Sequence, residues 1–264
     1  MIDDLALASA ISRLGPDRFL FDVPAHWEQG RGAYGGIVVA AMARAALQCE
    51  PEIDRAIRAV SSEILSPVLQ GPAEVVVEEL RRGNGVSAFD VRIRQREADA
   101  LVVRAHATIT LGRNRVADRT IHVPPPAMPS FESTPRAPIA PPFGPVFAQH
   151  LDFRPVGPAP FSGAKEAHVE GWVHAPKCSS WGAPEVLALV DSYWPAALVL
   201  EPAPRPMVTL AFTAHVFDVP AQGPLYFRST ASSARDGFVS ELRELFGPDG
   251  QLVVSNPQLI AIVK

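Results

Sequence analysis

Residues 35–49 read GGIVVAAMARAALQC and are the strongest structural signal in the sequence. After the two glycines its only polar side chains are Arg44 and Gln48, which are four positions apart and therefore share one narrow stripe of a helix. A helix that is apolar on nearly every other side must be surrounded by protein. The stretch therefore predicts a buried central helix, around which the rest of the chain must wrap.

The residues that follow this helix alternate as antiparallel strands do. SAFDVRIRQR (87–96) places Phe89 and Ile93 on one face and charged side chains on the other. LVVRAHATITL (101–111) alternates in the same way, and the RRGNG run (81–85) supplies a hairpin turn. These segments predict a meander of strands that packs one face on the helix.

The second half of the chain repeats this order. VEGWVHA (169–175) alternates, Pro184 opens the apolar helical stretch PEVLALVDSYWPAAL (184–198), and strand-like segments follow from residue 207 onward. Setting Gly85 on Gly237, an offset of 237 minus 85 or 152, aligns the two meanders. The pattern alone predicts an α+β chain that is antiparallel and internally duplicated.

Composition excludes several classes of protein. With 264 residues, of which 47% are hydrophobic and 20% charged, disorder is excluded as the main state. A net charge of −4 argues against nucleic acid or an anionic membrane as the main partner. Two cysteines make no disulfide framework, the start lacks signal-peptide features, and no apolar run could span a membrane. We therefore expect a cytoplasmic protein.

Proline marks the division between the halves. Twelve of the 27 prolines fall between residues 124 and 160, where they rule out interior helix and central strand. We predict an N-terminal unit (1–112), a Pro-rich linker (113–165) and a C-terminal unit (166–264). The alternative is a loop insertion within a single domain.

Five segments, taken in order, resemble the acyl-CoA thioesterase II family. Two lie in the first half and three in the second: AYGGIVVAAMARAAL (33–47), SSEILSPVLQGPAEVVVEELRRGNGVSAFDVRIRQ (61–95), LALVDSYWPAAL (187–198), VTLAFTAHVF (208–217) and SNPQLIAIV (255–263). The resemblance implies a double hotdog, in which two tandem repeats each wrap an antiparallel sheet around a long central helix. It also implies hydrolysis of an acyl-CoA to a free fatty acid and CoA, and a homodimer or higher homo-oligomer.

The sequence departs from the family pattern at a few positions. Ser61 stands where a histidine is usual, and Ile64 and Leu65 replace an aromatic pair. The strand beginning TLAFT at Thr209 lacks the usual Asp-His pair. These changes bear on the preferred acyl chain and leave open a non-catalytic acyl-CoA binder as an alternative.

The resemblance implies that Asp191, Thr209 and Gln258 hold an attacking water. Asp191 is the only charge between Val186 and Leu200, and an unpaired carboxylate in such an apolar helix would be costly. Partial desolvation raises the basicity of a carboxylate, which suits a group that takes a proton from water. We predict that Asp191 is the base and that Thr209 and Gln258 fix the water.

Strand periodicity gives each of the two strand residues a face. By the period of two, Thr209 should share a face with Ala211 and Thr213. Gln258 should likewise share a face with its neighbours two positions away on the last strand. These are predictions about orientation that a structure can test directly.

The start of the first helix is the candidate oxyanion site. Free N–H groups and the positive end of the helix dipole suit a tetrahedral intermediate, and Gly35-Gly36 lets the backbone approach a thioester. We therefore suggest the backbone of Gly36 and Ile37 as donors. Tight helix–sheet packing is an equally good reason for the glycines.

The first half is predicted to lack a second site. The offset of 152 places His106 at the position of Gln258, and no carboxylate lies between Gly36 and Cys49. A double-hotdog dehydratase or hydratase remains an alternative, with His26 and Gly30 offering an H-x-x-x-G motif. The histidines show no metal-ligand spacing with acidic residues, so neither a metal nor a cofactor is predicted.

Overall fold

The structure is a computed structural model that describes residues 1–116, 121 and 124–263. Its helices and strands follow one another in the order α1 Leu5–Ala8, β1 Ser12–Arg13, β2 Arg18–Val23, β3 Glu28–Gln29, β4 Gly32–Ala33, α2 Gly35–Cys49, β5 Arg55–Ile64, β6 Gly71–Arg82, β7 Val86–Glu97, β8 Ala100–Arg113, β9 Asp152–Val156, β10 His168–His174, α3 Ala183–Val190, β11 Met207–Val216, β12 Leu225–Arg235, β13 Phe238–Phe246 and β14 Leu252–Ile262. Two 3₁₀ turns, Val146–His150 and Ala196–Val199, complete the list of elements.

All the long strands join one twelve-stranded antiparallel sheet. Its order is β1-β2-β6-β7-β8-β5-β11-β14-β13-β12-β10-β9. The first half contributes β2-β6-β7-β8-β5, and the second half contributes the equivalent strands β10-β12-β13-β14-β11 in mirror order. The two halves meet where β5 pairs with β11. The sheet order therefore confirms the internal duplication that the sequence predicts.

Each half wraps its sheet around a helix. Every residue of α2 from Gly35 to Ala43 is buried, as the apolar stretch predicts, and α2 packs on β5, β6, β7 and β8. Helix α3 packs on β13 and β14, and the two helices contact each other. The Tyr34 hydroxyl donates a hydrogen bond to the Ala188 carbonyl across that contact. The architecture is the expected double hotdog of α+β class.

The second helix is shorter than the sequence pattern suggests. The pattern predicts helix from Pro184 to Leu198, whereas α3 ends at Val190 and only Ala196–Val199 forms a 3₁₀ turn. Pro195 explains the break, because a proline has no N–H to donate to the carbonyl four residues earlier, that of Asp191, and its ring would clash with that carbonyl in a continuous helix. Asp191 therefore caps the C-terminus of α3 instead of lying inside a helix. In the described residues no helix is long and apolar enough to cross a membrane.

The proline-rich segment packs against both halves, and on the first half its Phe147 ring stacks on Tyr34. Strand β9 lies within the predicted linker and pairs with β10 at the edge of the sheet. Ala137 forms an isolated bridge with Phe153 of that strand. Residues 117–120 and 122–123 of this segment, and Lys264, lie outside the described residues. The division at 1–112, 113–165 and 166–264 stays a prediction.

A buried ion pair fastens the two helices together. Arg44 of α2 donates to the carboxylate of Glu185 in α3, whose side chain is only 1% exposed, and also to the Ser9 hydroxyl at 3.1 Å. Arg44 is one of the two polar positions that the sequence places on the stripe of α2. Arg44 therefore faces the second half, whereas Gln48, one turn further along the stripe, is exposed.

We predict that Arg44→Met lowers the free energy of unfolding by about 3 kcal/mol, because it leaves Glu185 as a buried carboxylate without its cation. Urea denaturation measures the change. The surface pair Arg205–Glu201 provides the control, since Arg205→Met should cost less than about 1 kcal/mol. Equal stability of the two variants would contradict this account of the helix contact.

Candidate active site

Three side chains from separate elements meet at the junction of α3 with β11 and β14. The Thr209 hydroxyl donates to Gln258 Oε1 at 3.1 Å, and Gln258 Nε2 donates to Asp191 Oδ1 at 2.9 Å. Asp191 and Gln258 are buried, and Thr209 is half-buried. The three residues that the sequence singles out therefore form one hydrogen-bonded chain.

A β-bulge turns Thr209 toward the helices. The register of β11 against β14 shifts between Thr209 and Ala211, so Thr209 lies opposite Ile260 while Phe212 lies opposite Gln258. Directly opposed residues share a face, so Thr209 faces inward with Phe212. The expectation that Thr209 shares a face with Ala211 and Thr213 is wrong, because the bulge interrupts the two-residue period.

Hydrogen bonds to both polar atoms of its side-chain amide hold Gln258 in place. Besides its bonds to Thr209 and Asp191, its Nε2 donates to Asn256 Oδ1 at 2.8 Å. Asn256 in turn donates to the Thr213 carbonyl at 2.6 Å. Gln258, Asn256 and Ile260 are all buried, which confirms their predicted common face. Both donor hydrogens of the Gln258 amide are therefore already in use.

Sequence reasoning missed Arg243, which is the cation of this site. Arg243 lies on β13 and is 2% exposed. Its Nη1 donates to Asp191 Oδ1 and to the Asp191 carbonyl, both at 3.2 Å. Its Nε donates to Glu241 Oε1 at 2.8 Å. The sequence did contain a signal. By the two-residue period of a strand, Glu241 and Arg243 share one face of β13 with the apolar Val239 and Leu245.

Burial raises the pKa of Asp191 above its ordinary value. The Arg243 guanidinium and the hydrogen bond from Gln258 pull that pKa down, while the negative charge of Glu241 pushes it up. Both hydrogen bonds to the Asp191 carboxyl group reach Oδ1. Among the described residues Oδ2 accepts no hydrogen bond, so it is the oxygen left for a proton transfer.

The first turn of α2 lies beside this free oxygen. A Cβ on Gly35 would sit 2.8 Å from Asp191 Oδ2 and 3.2 Å from Ile64 Cδ1, so only glycine fits there. A Cβ on Gly36 would sit 2.4 Å from the Tyr34 ring. Gly35 therefore allows the close approach of Asp191, and Gly36 allows that of the Tyr34 ring.

The two suggested oxyanion donors differ in their hydrogen bonding. The Ile37 N–H already donates to the Tyr34 carbonyl at 3.2 Å. The N–H groups of Gly35 and Gly36 donate to no backbone carbonyl among the described residues. The free donors at this helix end are therefore those of the two glycines.

A cavity of about 690 Å³ opens between the two halves. Gly35, Asp191, Thr209 and Arg243 contribute to its wall, whereas Gly36, Ile37 and Gln258 do not. The apolar part of the wall is drawn from both halves and the segment between them: Val38, Ile64, Leu65, Val68, Ile139, Phe147, Phe153, Tyr193, Trp194, Leu198, Met207, Leu210 and Ile260. The cavity is thus mostly apolar, and Asp191, Thr209 and Arg243 form a polar patch in its wall.

In the first half, all of which lies within the described residues, the position equivalent to Gln258 is apolar. β5 and β11 carry matching bulges, and Val60, opposite Ile109, corresponds to Phe212, opposite Gln258. The counterpart of Gln258 is therefore Ile109, and the sequence offset that selects His106 is wrong by three residues. His106 alternates with the buried Ala105 and Ala107, so it lies on the outer face of the sheet.

Outside the cavity, the other candidate side chains are engaged elsewhere. Arg82, part of an arginine-rich stretch of β6 and β7 that could meet the phosphates of CoA, pairs with Glu50 and Glu79 and does not line the cavity. His26 is exposed and does not line the cavity. In the part of the chain that the structure describes, no group of three or more His, Cys, Asp or Glu side chains could hold a metal ion.

Two tandem hotdogs with a carboxylate, a hydroxyl and an amide at their junction define a thioesterase-type double hotdog. Residues 23–112 match the model of the acyl-CoA thioesterase N-terminal domain, and residues 124–262 match that of the C-terminal domain. The chain belongs to the acyl-CoA thioesterase family, as the resemblance in sequence predicts.

Solved structures support the same fold. A hot dog fold protein of unknown function from Alicyclobacillus acidocaldarius is 22% identical, with a TM-score of 0.88 over 98% of each chain. A putative thioesterase II from Thermobifida fusca is 23% identical, with a TM-score of 0.84 over 98% of this chain and 97% of that one. Acyl-CoA thioesterase II TesB2 from Mycobacterium marinum is 15% identical, with a TM-score of 0.79 over 98% of each chain. No curated protein matches the sequence.

We predict that Gly36→Ala destabilises the fold by about 1–3 kcal/mol, because the new methyl group must displace the buried Tyr34 ring. Chemical denaturation of the purified variant measures the loss. Gly15→Ala is the matched control, since its Cβ would have Arg18 Cβ as its nearest contact, at 3.9 Å. Identical unfolding free energies for the two variants would show that the Tyr34 contact is not tight.

Proposed function

We propose that this protein hydrolyses acyl-CoA thioesters to a free carboxylic acid and CoA by activating a water molecule. The observation that carries the proposal is the free Oδ2 of Asp191 in the wall of an apolar cavity. Its partner oxygen is held by Gln258 and Arg243, so the carboxylate has one orientation. A raised pKa makes the ionised carboxylate a stronger base than an exposed aspartate.

In the proposed reaction Asp191 Oδ2 removes a proton from the water as its oxygen attacks the thioester carbonyl carbon. The water also donates to the Thr209 hydroxyl oxygen, whose own proton is committed to Gln258. Gln258 fixes the water indirectly, because it holds both Thr209 and Asp191. When the C–S bond breaks, the proton on Asp191 returns to the thiolate, and the carboxylate is regenerated.

The start of α2 is the proposed oxyanion site. The Gly36 N–H is free to donate to the negative oxygen of the tetrahedral intermediate, and the helix dipole adds a favourable charge. Ile37, the second suggested donor, contributes only if it shares its N–H with the Tyr34 carbonyl. The neighbouring Gly35 N–H is a further free donor at the cavity wall.

The cavity supports an acyl-CoA as substrate. Ile64 and Leu65, which replace the aromatic pair usual in the family, both line the apolar wall and are placed to select the acyl chain. Arg31, at the turn between β3 and β4, lines the cavity and is exposed. It has no acidic partner within the described residues and can therefore meet the phosphates of CoA. A fatty acid product implies a role in lipid metabolism, and we place the protein in the cytoplasm.

The proposal specifies one active site per chain. Ile57 and Ile109 of the first half stand where Thr209 and Gln258 stand in the second. A dehydratase requires a catalytic histidine, and among the described residues that line the cavity there is none. A non-catalytic acyl-CoA binder remains the alternative that an activity assay must separate from a hydrolase.

We predict that Asp191→Asn lowers kcat by about 10²–10⁴-fold, because the amide cannot accept the proton of water. Thr209→Val and Gln258→Leu should lower kcat by about 10-fold or more through loss of water positioning. Release of CoA thiol from a panel of acyl-CoAs of graded length measures the rates.

Asp90→Asn is the control, since Asp90 is another buried carboxylate but lies on β7 and pairs with His106. Its activity should equal that of the unmodified protein. Full activity in folded Asp191→Asn, or tight binding of acyl-CoA without thiol release at any chain length, would reject the hydrolase.

We also propose that the chain forms a homodimer or higher homo-oligomer. The outer face of β11, β13 and β14 carries Val208, Phe238, Leu242 and Leu259, each between 40% and 48% exposed. Contiguous exposed apolar side chains mark association surfaces.

Sedimentation should therefore give a mass of at least twice 28.4 kDa. The double variant Leu242→Glu/Leu259→Glu should sediment as a monomer, because it places charges in the buried interface. Leu80→Glu, at an exposed leucine of β6, is the control and should leave the mass unchanged. A wild-type mass of one chain would contradict self-association.

A further inference from the structure

Behind Asp191 lies a set of buried charged and polar groups on β12, β13 and the 3₁₀ turn Ala196–Val199. Arg243 and Glu241 are both on β13, both buried, and joined by the 2.8 Å hydrogen bond from Arg243 Nε to Glu241 Oε1. Arg243 Nη1 then donates to the carbonyl and to Oδ1 of Asp191. The three charges thus form the line Glu241–Arg243–Asp191, with one cation between two carboxylates.

The far end of this line is fixed in place. Glu241 Oε1 also accepts a hydrogen bond from the Ser229 hydroxyl at 2.6 Å, and its Oε2 accepts the Ala196 N–H at 2.8 Å. Ser229 lies on β12, and Ala196 begins the 3₁₀ turn that follows Asp191. Glu241 therefore holds the guanidinium from one side while the backbone around Asp191 is tied to the same carboxylate.

We infer that Arg243 is a positioning residue for the proposed reaction. It directs Oδ2 of Asp191 toward the water and sets the pH range in which that carboxylate is ionised. The negative charge of Glu241 acts on Asp191 in the opposite direction. This inference rests on the proposed function only in giving Asp191 the role of base. Arg243 forms a two-nitrogen fork between the two carboxylates: its Nη1 donates to both Oδ1 and the carbonyl of Asp191 at the end of α3, while its Nε donates to Glu241. A lysine cannot reproduce that fork.

The electrostatic influences on the Asp191 carboxylate come from a small number of groups. Arg243 and Glu241 face it from β13, and the Tyr34 phenol approaches from the start of α2. Gln258 and Thr209 on β14 and β11 are polar but do not titrate. Tyr34 is buried and its pKa is raised well above the ordinary value, chiefly by burial, so it stays neutral throughout the useful pH range.

Arg243 and Glu241 act on Asp191 with opposite signs, which makes the inference testable. A base works only while it is ionised, so kcat/KM falls as the pH drops through the pKa of Asp191. Removing the Arg243 charge raises that pKa and moves the acid limb of the profile to higher pH. Removing the Glu241 charge lowers it and moves the limb to lower pH.

The experiment measures kcat/KM against pH for Arg243→Met, Arg243→Lys and Glu241→Gln, together with the carboxyl ¹³C NMR titration of Asp191 in each. We expect an upward shift of about one pH unit or more in Arg243→Met and a downward shift in Glu241→Gln. Arg243→Lys should keep the pH profile near that of the unmodified protein, but with a reduced kcat, because it keeps the charge and loses the fork.

Arg228→Met is the matched control. Arg228 donates to Glu244 at 2.7 and 2.9 Å on the same two strands, β12 and β13, and makes no contact with Asp191. Its profile and titration should not move. Glu241→Gln removes the charge and keeps one acceptor oxygen for Arg243 and Ser229, at the cost of the hydrogen bond from the Ala196 N–H. It is a milder change than Arg243→Met and carries the test where that variant does not fold.

The possible failures are distinguishable. Shifts of the same direction in Arg243→Met and Glu241→Gln, or no shift relative to Arg228→Met, would overturn the role of Arg243. Full activity in Asp191→Asn would reject the proposed function instead. The NMR titration still tests the coupling of Arg243 to Asp191 in that case, because it needs no substrate.

Discussion

The site depends on keeping one carboxylate charged inside an apolar shell. Taking Asp191 out of water disfavours its ionised form, and the protein offsets this cost with a buried guanidinium and an amide that both bind Oδ1. That arrangement uses one oxygen for support and leaves the other for chemistry. It also explains why α3 ends where it does, since Asp191 at the end of the helix can be reached from β13 and β14 at once.

The duplicated fold provides the cavity and also the asymmetry within it. Both halves contribute a five-stranded sheet and a helix, and the continuous sheet brings the start of α2 beside the end of α3. Yet one half carries Thr209 and Gln258 on the inner face of its sheet, while the other carries Ile57 and Ile109 at the equivalent positions. In the proposed reaction the first half therefore supplies the helix-end donors and part of the apolar wall, and the second half supplies the proposed base.

Sequence reasoning reached a duplicated, antiparallel α+β chain because the signals for it are strong and local, whereas the double hotdog came from the resemblance to the acyl-CoA thioesterase II family. The nearly uniform apolar stretch of α2 and the alternation in β7 and β8 each predict one structure. It failed where a single residue breaks a period. The bulge beside Thr209 reverses its face, and Pro195 ends the helix early; neither the bulge nor the resulting register can be read from a two-residue pattern.

The charged layer of the site was harder to predict for a different reason. Arg243 and Glu241 lie more than 45 residues from Asp191 in the sequence, and nothing local links them. Ion pairs between distant strands depend on sheet order and register, which form only when the whole sheet does. Asp191 itself was predictable, because a lone charge in a buried apolar segment requires a partner or a function.

The central claim is that a single water lies between Asp191 Oδ2, Thr209 and the thioester carbon. A crystal structure with a non-hydrolysable acyl-CoA analogue tests it most directly. The account predicts an ordered water in contact with Oδ2 and about 3–3.5 Å from the carbonyl carbon, with the carbonyl oxygen directed at the start of α2. A carbonyl carbon remote from Asp191, or one in direct contact with Oδ2 with no water between them, would contradict it.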